Sequence, residues 1–191
     1  MSDGNLLVGL MTTLGIVQKG RPILESVARP FDLPAERVEA ENTVRLLHEA
    51  ADRVEEVYPF KRGMGLAAPQ IGSDRRAVVI RLRRDEAPRD DSRIELLNPT
   101  VLDMVGEETH YEGCLSFFNV RGLVTRPSQI RVAHTTLDGD RIVSAFGRGT
   151  AGLVMHEIDH IDGKLYERLA TDGLLPVKEY RALMAAGRPP A

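Results

Sequence analysis

The stretch His156-Glu157-Ile158-Asp159-His160 places two histidines four positions apart. On an α-helix that spacing sets both imidazoles on one face, one turn apart, where a single ion can take both. Leu153 continues the same face, and Gly163 stands where a helix starting near Gly149 would end. Glu157, next to the first histidine, is within reach of a water on such an ion, the place where a hydrolase needs its general base. Taken alone, the pair is also compatible with a coincidence on a solvated helix face.

Working outward, the residues before this helix read as strands. Ala77–Leu82 is dense in β-branched residues, as in a buried strand, and Ile94–Asn98, Gln129–Thr136 and Arg141–Phe146 read as three more. Asp138-Gly139 joins the last two as a hairpin turn. Upstream, Val44, Leu47, Ala51 and Val54 recur at spacings of three and four, predicting an amphipathic helix from Pro34 to Val57. A short helix is expected near Val177–Ala186. Helices that flank a run of strands without alternating with them argue for an α+β fold, with mainly antiparallel sheets packed around the histidine helix.

A length of 191 residues suits one catalytic domain, with 1–15 as an N-terminal extension and 168–191 as a C-terminal tail carrying the short helix. With 42% hydrophobic and 28% charged residues the chain can bury a core. A net charge of -3 gives no broad basic footprint, so nucleic acid is not an expected partner. Arg81, Arg83, Arg84, Arg89 and Arg93, interleaved with acids, read as a solvated loop. The sequence offers no membrane-spanning run and no signal peptide, so a cytoplasmic location is expected.

Two histidines leave a tetrahedral ion short of a protein ligand if one position is kept for water. The single cysteine, Cys114, is the natural third candidate, although a lone cysteine is more often a small buried hydrophobe. It lies in Glu112-Gly113-Cys114-Leu115-Ser116, where Gly113 permits close backbone approach. The segment Gly63-Met64-Gly65-Leu66-Ala67-Ala68-Pro69-Gln70 lacks the marks of a phosphate loop. It suits a backbone that another chain approaches closely, with Gln70 as an amide donor to an oxyanion; an ordinary tight turn is the alternative.

Together, in this order, the three segments resemble the peptide deformylases, whose motifs are G-x-G-x-A-A-x-Q, E-G-C-L-S and H-E-x-D-H. The resemblance runs from about Ile16 to Tyr166. It implies that Cys114, His156 and His160 bind one divalent metal, iron(II) by preference, with zinc, nickel or cobalt able to take the same site. It implies that Glu157 is general acid and base, and that Gln70 and the Leu115 N–H stabilise the oxyanion. The implied substrate is an N-formylated nascent peptide, met transiently at the ribosome, and hydroxamate-type inhibitors are expected to bind. The peptide would lie extended along Gly63, Met64 and Gly65 and the Glu112-Gly113 segment, with its methionine in an apolar pocket near Met64, Leu115 and Leu153. Arg121 is a candidate for a peptide carbonyl and Glu112 with Arg126 for a supporting ion pair.

The chain departs from many family members at Phe117-Phe118-Asn119, where a proline is usual, and at Gly152 and Met155, where arginine and glutamine are usual. These positions bear on substrate preference and efficiency. Two other readings follow from the same residues: a deformylase-like protein that binds peptides without turning them over, and a zinc endopeptidase, which shares H-E-x-x-H but draws its third ligand from downstream.

Overall fold

In the computed structural model, which describes residues 3–58, 60, 63–82 and 93–187, the chain opens with helices α1 (Asp3–Thr13) and α2 (Arg37–Val57). Strands β1 (Met64–Ala67), β2 (Ala77–Arg81) and β3 (Arg93–Val105) follow, then β4 (Glu108–Glu112) and β5 (Val120–Arg126). The hairpin β6 (Gln129–Thr135) and β7 (Arg141–Gly147) leads into helix α3 (Gly149–Ile161), and strand β8 (Leu174–Pro176) and helix α4 (Val177–Ala185) complete the order. One antiparallel sheet runs β1-β2-β3-β6-β7 and a second runs β4-β5-β8. This is the α+β arrangement that the sequence implies.

The apolar run of β2 is buried on both faces. Ala77 and Val79 pack with Leu47, Ala51 and Val54 of α2, while Val78 and Ile80 pack with Val154, Ile158 and Ile161 of α3. The first sheet is therefore clamped between the two helices, which explains why its second strand shows no polar alternation. A third cluster, containing Leu24, Cys114, Phe117, Val124, Leu165 and Tyr166, lies around the second sheet.

Several boundaries differ from expectation. Helix α2 starts at Arg37, three residues after Pro34, because Glu36 turns back to accept from the Asp32 N–H (2.7 Å) and pairs with buried Arg75. Strand β3 continues well beyond Asn98. Asn98 takes a left-handed φ of 51°, the register shifts between Leu97 and Thr100, and the ladder resumes past Pro99. The bulge tolerates a residue that has no N–H to offer. Asn98 is held there by Phe31, whose N–H donates to Oδ1 at 2.8 Å and whose carbonyl accepts from Nδ2 at 2.9 Å. Arg81 is not part of a solvated loop: it ends β2, buried, and its Nη1 donates to Asp52 (2.6 Å) and Glu55 (2.8 Å) of α2. Arg93 opens β3, and Arg83, Arg84 and Arg89 lie outside the described residues. Helix α1 has no counterpart in the sequence reading; its Met11 is fully buried in the α2 cluster.

Leu47→Ala should lower unfolding free energy by about 2–5 kcal/mol in urea titration, because it empties a fully buried site. Val38→Ala, at a position 78% exposed on the same helix, should change it by about 0.5 kcal/mol or less. Equal losses would mean that α2 does not present this face to the sheet.

Candidate metal centre

Helix α3 is buried along most of its length, including His156, Glu157, Asp159 and His160. Cys114 reaches it from the second sheet, at the end of β4, where the chain enters a short 3-10 turn, Leu115–Phe117. One ligand atom each from Cys114, His156 and His160 lie within 4.8 Å of one another, and Cys114 Sγ is 3.1 Å from His160 Nε2. Cys114 is 42 or more positions from the two histidines in the chain, so the three buried donors converge only through the packing of α3 on the β4–β5 turn.

The surroundings suit a cation. The sulfur accepts from the Ser116 N–H at 3.4 Å and from Gln70 Nε2 at 3.5 Å. Burial holds His160 well below the usual imidazole range, hence neutral, the form that ligates. Burial opposes protonation of His156 too, yet its contacts with Cys114 and Glu112 raise it well above that range, so this ring would favour a bound cation in the proton's place. His156 Nδ1 is 2.8 Å from Glu112 Oε2, which leaves Nε2 for an ion. A cysteine and two histidines match borderline metals such as zinc or ferrous iron.

Behind these donors runs a buried ion network. Arg126 donates through Nε to Glu112 Oε1 (2.8 Å), through Nη2 to Oε2 (3.1 Å) and through Nη1 to Asp159 Oδ2 (2.6 Å). The expected Glu112–Arg126 pair is present, and Asp159 joins it. Burial drives the Glu112 carboxyl up, but the donors on His110, His156 and Arg126 outweigh it and hold the group far below the ordinary carboxylate range. Glu157 has no such donors: burial pushes it up to about 7, and its Oε2 meets no protein partner among the described residues.

Gln70 is 1% exposed, its Oε1 accepting from the Ala67 N–H (2.9 Å), so its Nε2 is aimed at Cys114 and at Ser116 Oγ (3.3 Å). The Leu115 N–H, at the first position of the 3-10 turn, meets no protein acceptor among the described residues. The two segments carrying these donors are tied together by residues 17–19, since Val17 N–H donates to Gln70 O (2.8 Å), Gln18 Nε2 to Leu115 O (3.2 Å) and Lys19 N–H to Ser116 O (2.8 Å).

The chain's own groups approach Gly63, Gly65 and Gly113 closely. A Cβ on Gly65 would stand 2.4 Å from Glu157 Oε1, one on Gly63 2.6 Å from Arg81 O, and one on Gly113 2.5 Å from the Arg121 guanidinium. Arg121 itself folds back, its Nη1 donating to Phe118 O (3.1 Å) and Val120 O (2.7 Å). Met64 and Leu115 share the α2 cluster with Phe118, whereas Leu153 packs in the other cluster with Val154 and Ile158. Phe117 stacks on Tyr166 and Phe118 meets Tyr58 edge-on, so both departures from the usual cysteine motif are core residues. Gln18 and His110 escaped the sequence reading, and Asp159 and Ser116, although inside the histidine and cysteine motifs, were given no role there.

A buried Cys-His-His triad with an adjacent carboxylate on an H-E-x-x-H helix defines a mononuclear metal hydrolase. The family model described as polypeptide deformylase matches residues 13–172, and the chain belongs to that family. A peptide deformylase from Carboxydothermus hydrogenoformans is 35% identical over 156 residues, covering 82% of this chain and 92% of the relative. The fold is similar to that of a class I type b peptide deformylase from Acinetobacter baumannii bound to Met-Ala-Ser, with a TM-score of 0.67 at 28% identity over 79% of this chain and 95% of that one. An actinonin-bound structure of the same enzyme gives a TM-score of 0.65 at 25% identity, over 82% and 97%.

Gly65→Ala should displace the Glu157 carboxylate and lower hydrolytic turnover by about 10²-fold, the scale expected for misplacing a reacting group by about 1 Å. A crystal structure of the variant with Glu157 unmoved, or full turnover, would refute the close-approach argument.

Proposed function

We propose that this chain, acting as one catalytic domain in the cytoplasm, removes the formyl group from the N-terminal formylmethionine of nascent peptides, giving formate and a free amine. The observation that carries the reading is the convergence of the Glu157 carboxylate, the Gln70 amide and the Cys114-His156-His160 donor set in one buried place. Those three ligands would hold a divalent metal, iron(II) by preference and zinc, nickel or cobalt by substitution. When bound, the metal supplies Lewis acidity and brings water to ionise near a pH of about 7.

The chain's own groups then divide the work. Glu157 takes a proton from the attacking water on a carboxylate oxygen and passes it to the leaving amine nitrogen. Its burial and its free Oε2 suit a group that must hold and release a proton out of contact with bulk solvent. Gln70 Nε2 and the Leu115 N–H donate to the formyl oxygen as charge develops there, their positions fixed by Ala67 and by the 3-10 turn. Strand β1 is at an edge of its sheet, so an extended peptide can pair with Met64 and Gly65, while Glu112 and Gly113 bound the other side. Met64, Leu115 and Leu153 supply apolar surface for the methionine side chain, and Arg121 supports a peptide carbonyl. Hydroxamates, which chelate metals, are the fitting inhibitor class, and the ribosome is a transient partner through its emerging chain. Among the described residues no helix is long and apolar enough to cross a membrane.

Formate release from a formyl-Met peptide, measured on anaerobically prepared iron(II) protein with its metal content determined, tests this reading. Glu157→Ala should abolish release while retaining one metal per chain, and Gln70→Ala should lower kcat by about 10²-fold. Treatment with a chelator should remove activity, and iron(II) should restore it. A wild-type protein that holds metal yet frees no formate from any of several formyl peptides would overturn the proposal.

A further inference from the structure

His110 is a histidine that stands beside the metal centre without belonging to its ligand set. It lies on β4 two residues before Glu112, hence on the same side of the strand, and its Nε2 is 3.4 Å from Glu112 Oε1. Its ring rests on the backbone of α3 at Gly152: a Cβ there would come 2.9 Å from His110 Cε1 and 3.2 Å from Nε2. Gly152 is one helical turn before His156, on the same face. The contacts thus run in a line from Gly152 through His110 and Glu112 to His156 Nδ1.

We propose that His110 is a positioning residue for the metal centre, holding Glu112 against His156 from a seat that exists because residue 152 is glycine. The inference rests on the metal-hydrolase reading above and adds a residue to it. Glu112 is 7% exposed, with Arg126 covering it from one side through two nitrogens. His110, about one-third exposed, closes the side toward solvent. With the imidazole in place the carboxylate has one orientation in which Oε2 meets His156 Nδ1. Without it water competes for Oε1, and the carboxylate is free to turn away from the histidine that it orients. The bare backbone at Gly152 brings the ring this near, so a Cβ at 152 pushes the imidazole outward while meeting Arg126 Cβ only at an ordinary contact distance of 3.8 Å.

The test compares wild type, His110→Ala, His110→Gln and Gly152→Ala as cobalt(II)-loaded proteins, reading the visible absorption of the metal and its rate of transfer to EDTA. Unfolding temperatures of the metal-free proteins are measured alongside. Transfer should be about 10-fold faster in His110→Ala and in Gly152→Ala, with an altered cobalt spectrum and unchanged metal-free unfolding. His110→Gln, which keeps a donor, should restore most of the retention. Unchanged transfer in both His110→Ala and Gly152→Ala would overturn the proposal. So would faster transfer that tracks lost metal-free stability and is not restored by glutamine. Failure of the wild type to release formate would sink the deformylase reading and leave the cobalt comparison decisive for His110.

Discussion

Arg126 lies 4% exposed between two carboxylates from different parts of the fold, Glu112 at the end of β4 and Asp159 in the middle of α3. Burial works against its charge, and the two acids more than offset that, raising its affinity for the proton above the ordinary guanidinium range. Removing one partner of such a buried pair typically costs about 3–5 kcal/mol, because the remaining charge is stranded out of water. The position of α3 relative to the second sheet is therefore tied to this guanidinium. The ligand set hangs on that relation: His156 and His160 ride on α3, while Cys114 lies two residues after Glu112. A cation that took these three donors would also sit beside a network in which two buried carboxylates, Glu112 and Asp159, share one arginine.

The same constraint separates the roles of two glutamates. Glu112 is surrounded by donors and held ionised, fit to orient a histidine. Glu157, on α3, is desolvated by burial and has one oxygen without a partner among the described residues. Environment, not residue type, holds one ionised and pushes the other up to about 7.

The parts of this arrangement that were legible in the sequence are those with a local signature. Two histidines four apart, the Asp138-Gly139 hairpin, the α2 stripe of Leu47, Ala51 and Val54 and the stop at Gly163 each report geometry within a turn or two of themselves. What was not legible depends on distant partners. Arg81 looked solvated because its acids, Asp52 and Glu55, come from a helix about thirty residues upstream. Strand β3 looked finished at Asn98-Pro99 because the bulge that carries it onward is held by Phe31. The four-residue β1 was hidden by its glycines, whose meaning lies in Glu157 and Arg81 rather than in any neighbour along the chain.

Glycine selection at three points also bears on how a site this small is kept accurate. Gly65, Gly113 and Gly152 come from a strand, a loop and a helix, and in each case a polar side chain stands closer than a Cβ would allow: Glu157, Arg121 and His110 respectively. Backbone is stiffer than side chain, so a group seated directly on backbone loses rotamer freedom that packing against another flexible chain would leave it. The departure at Gly152 is thus not simply a missing side chain. It exchanges a group on α3 for one delivered from β4, and the electrostatic support of Glu112 then depends on the same β4–α3 alignment that Arg126 enforces.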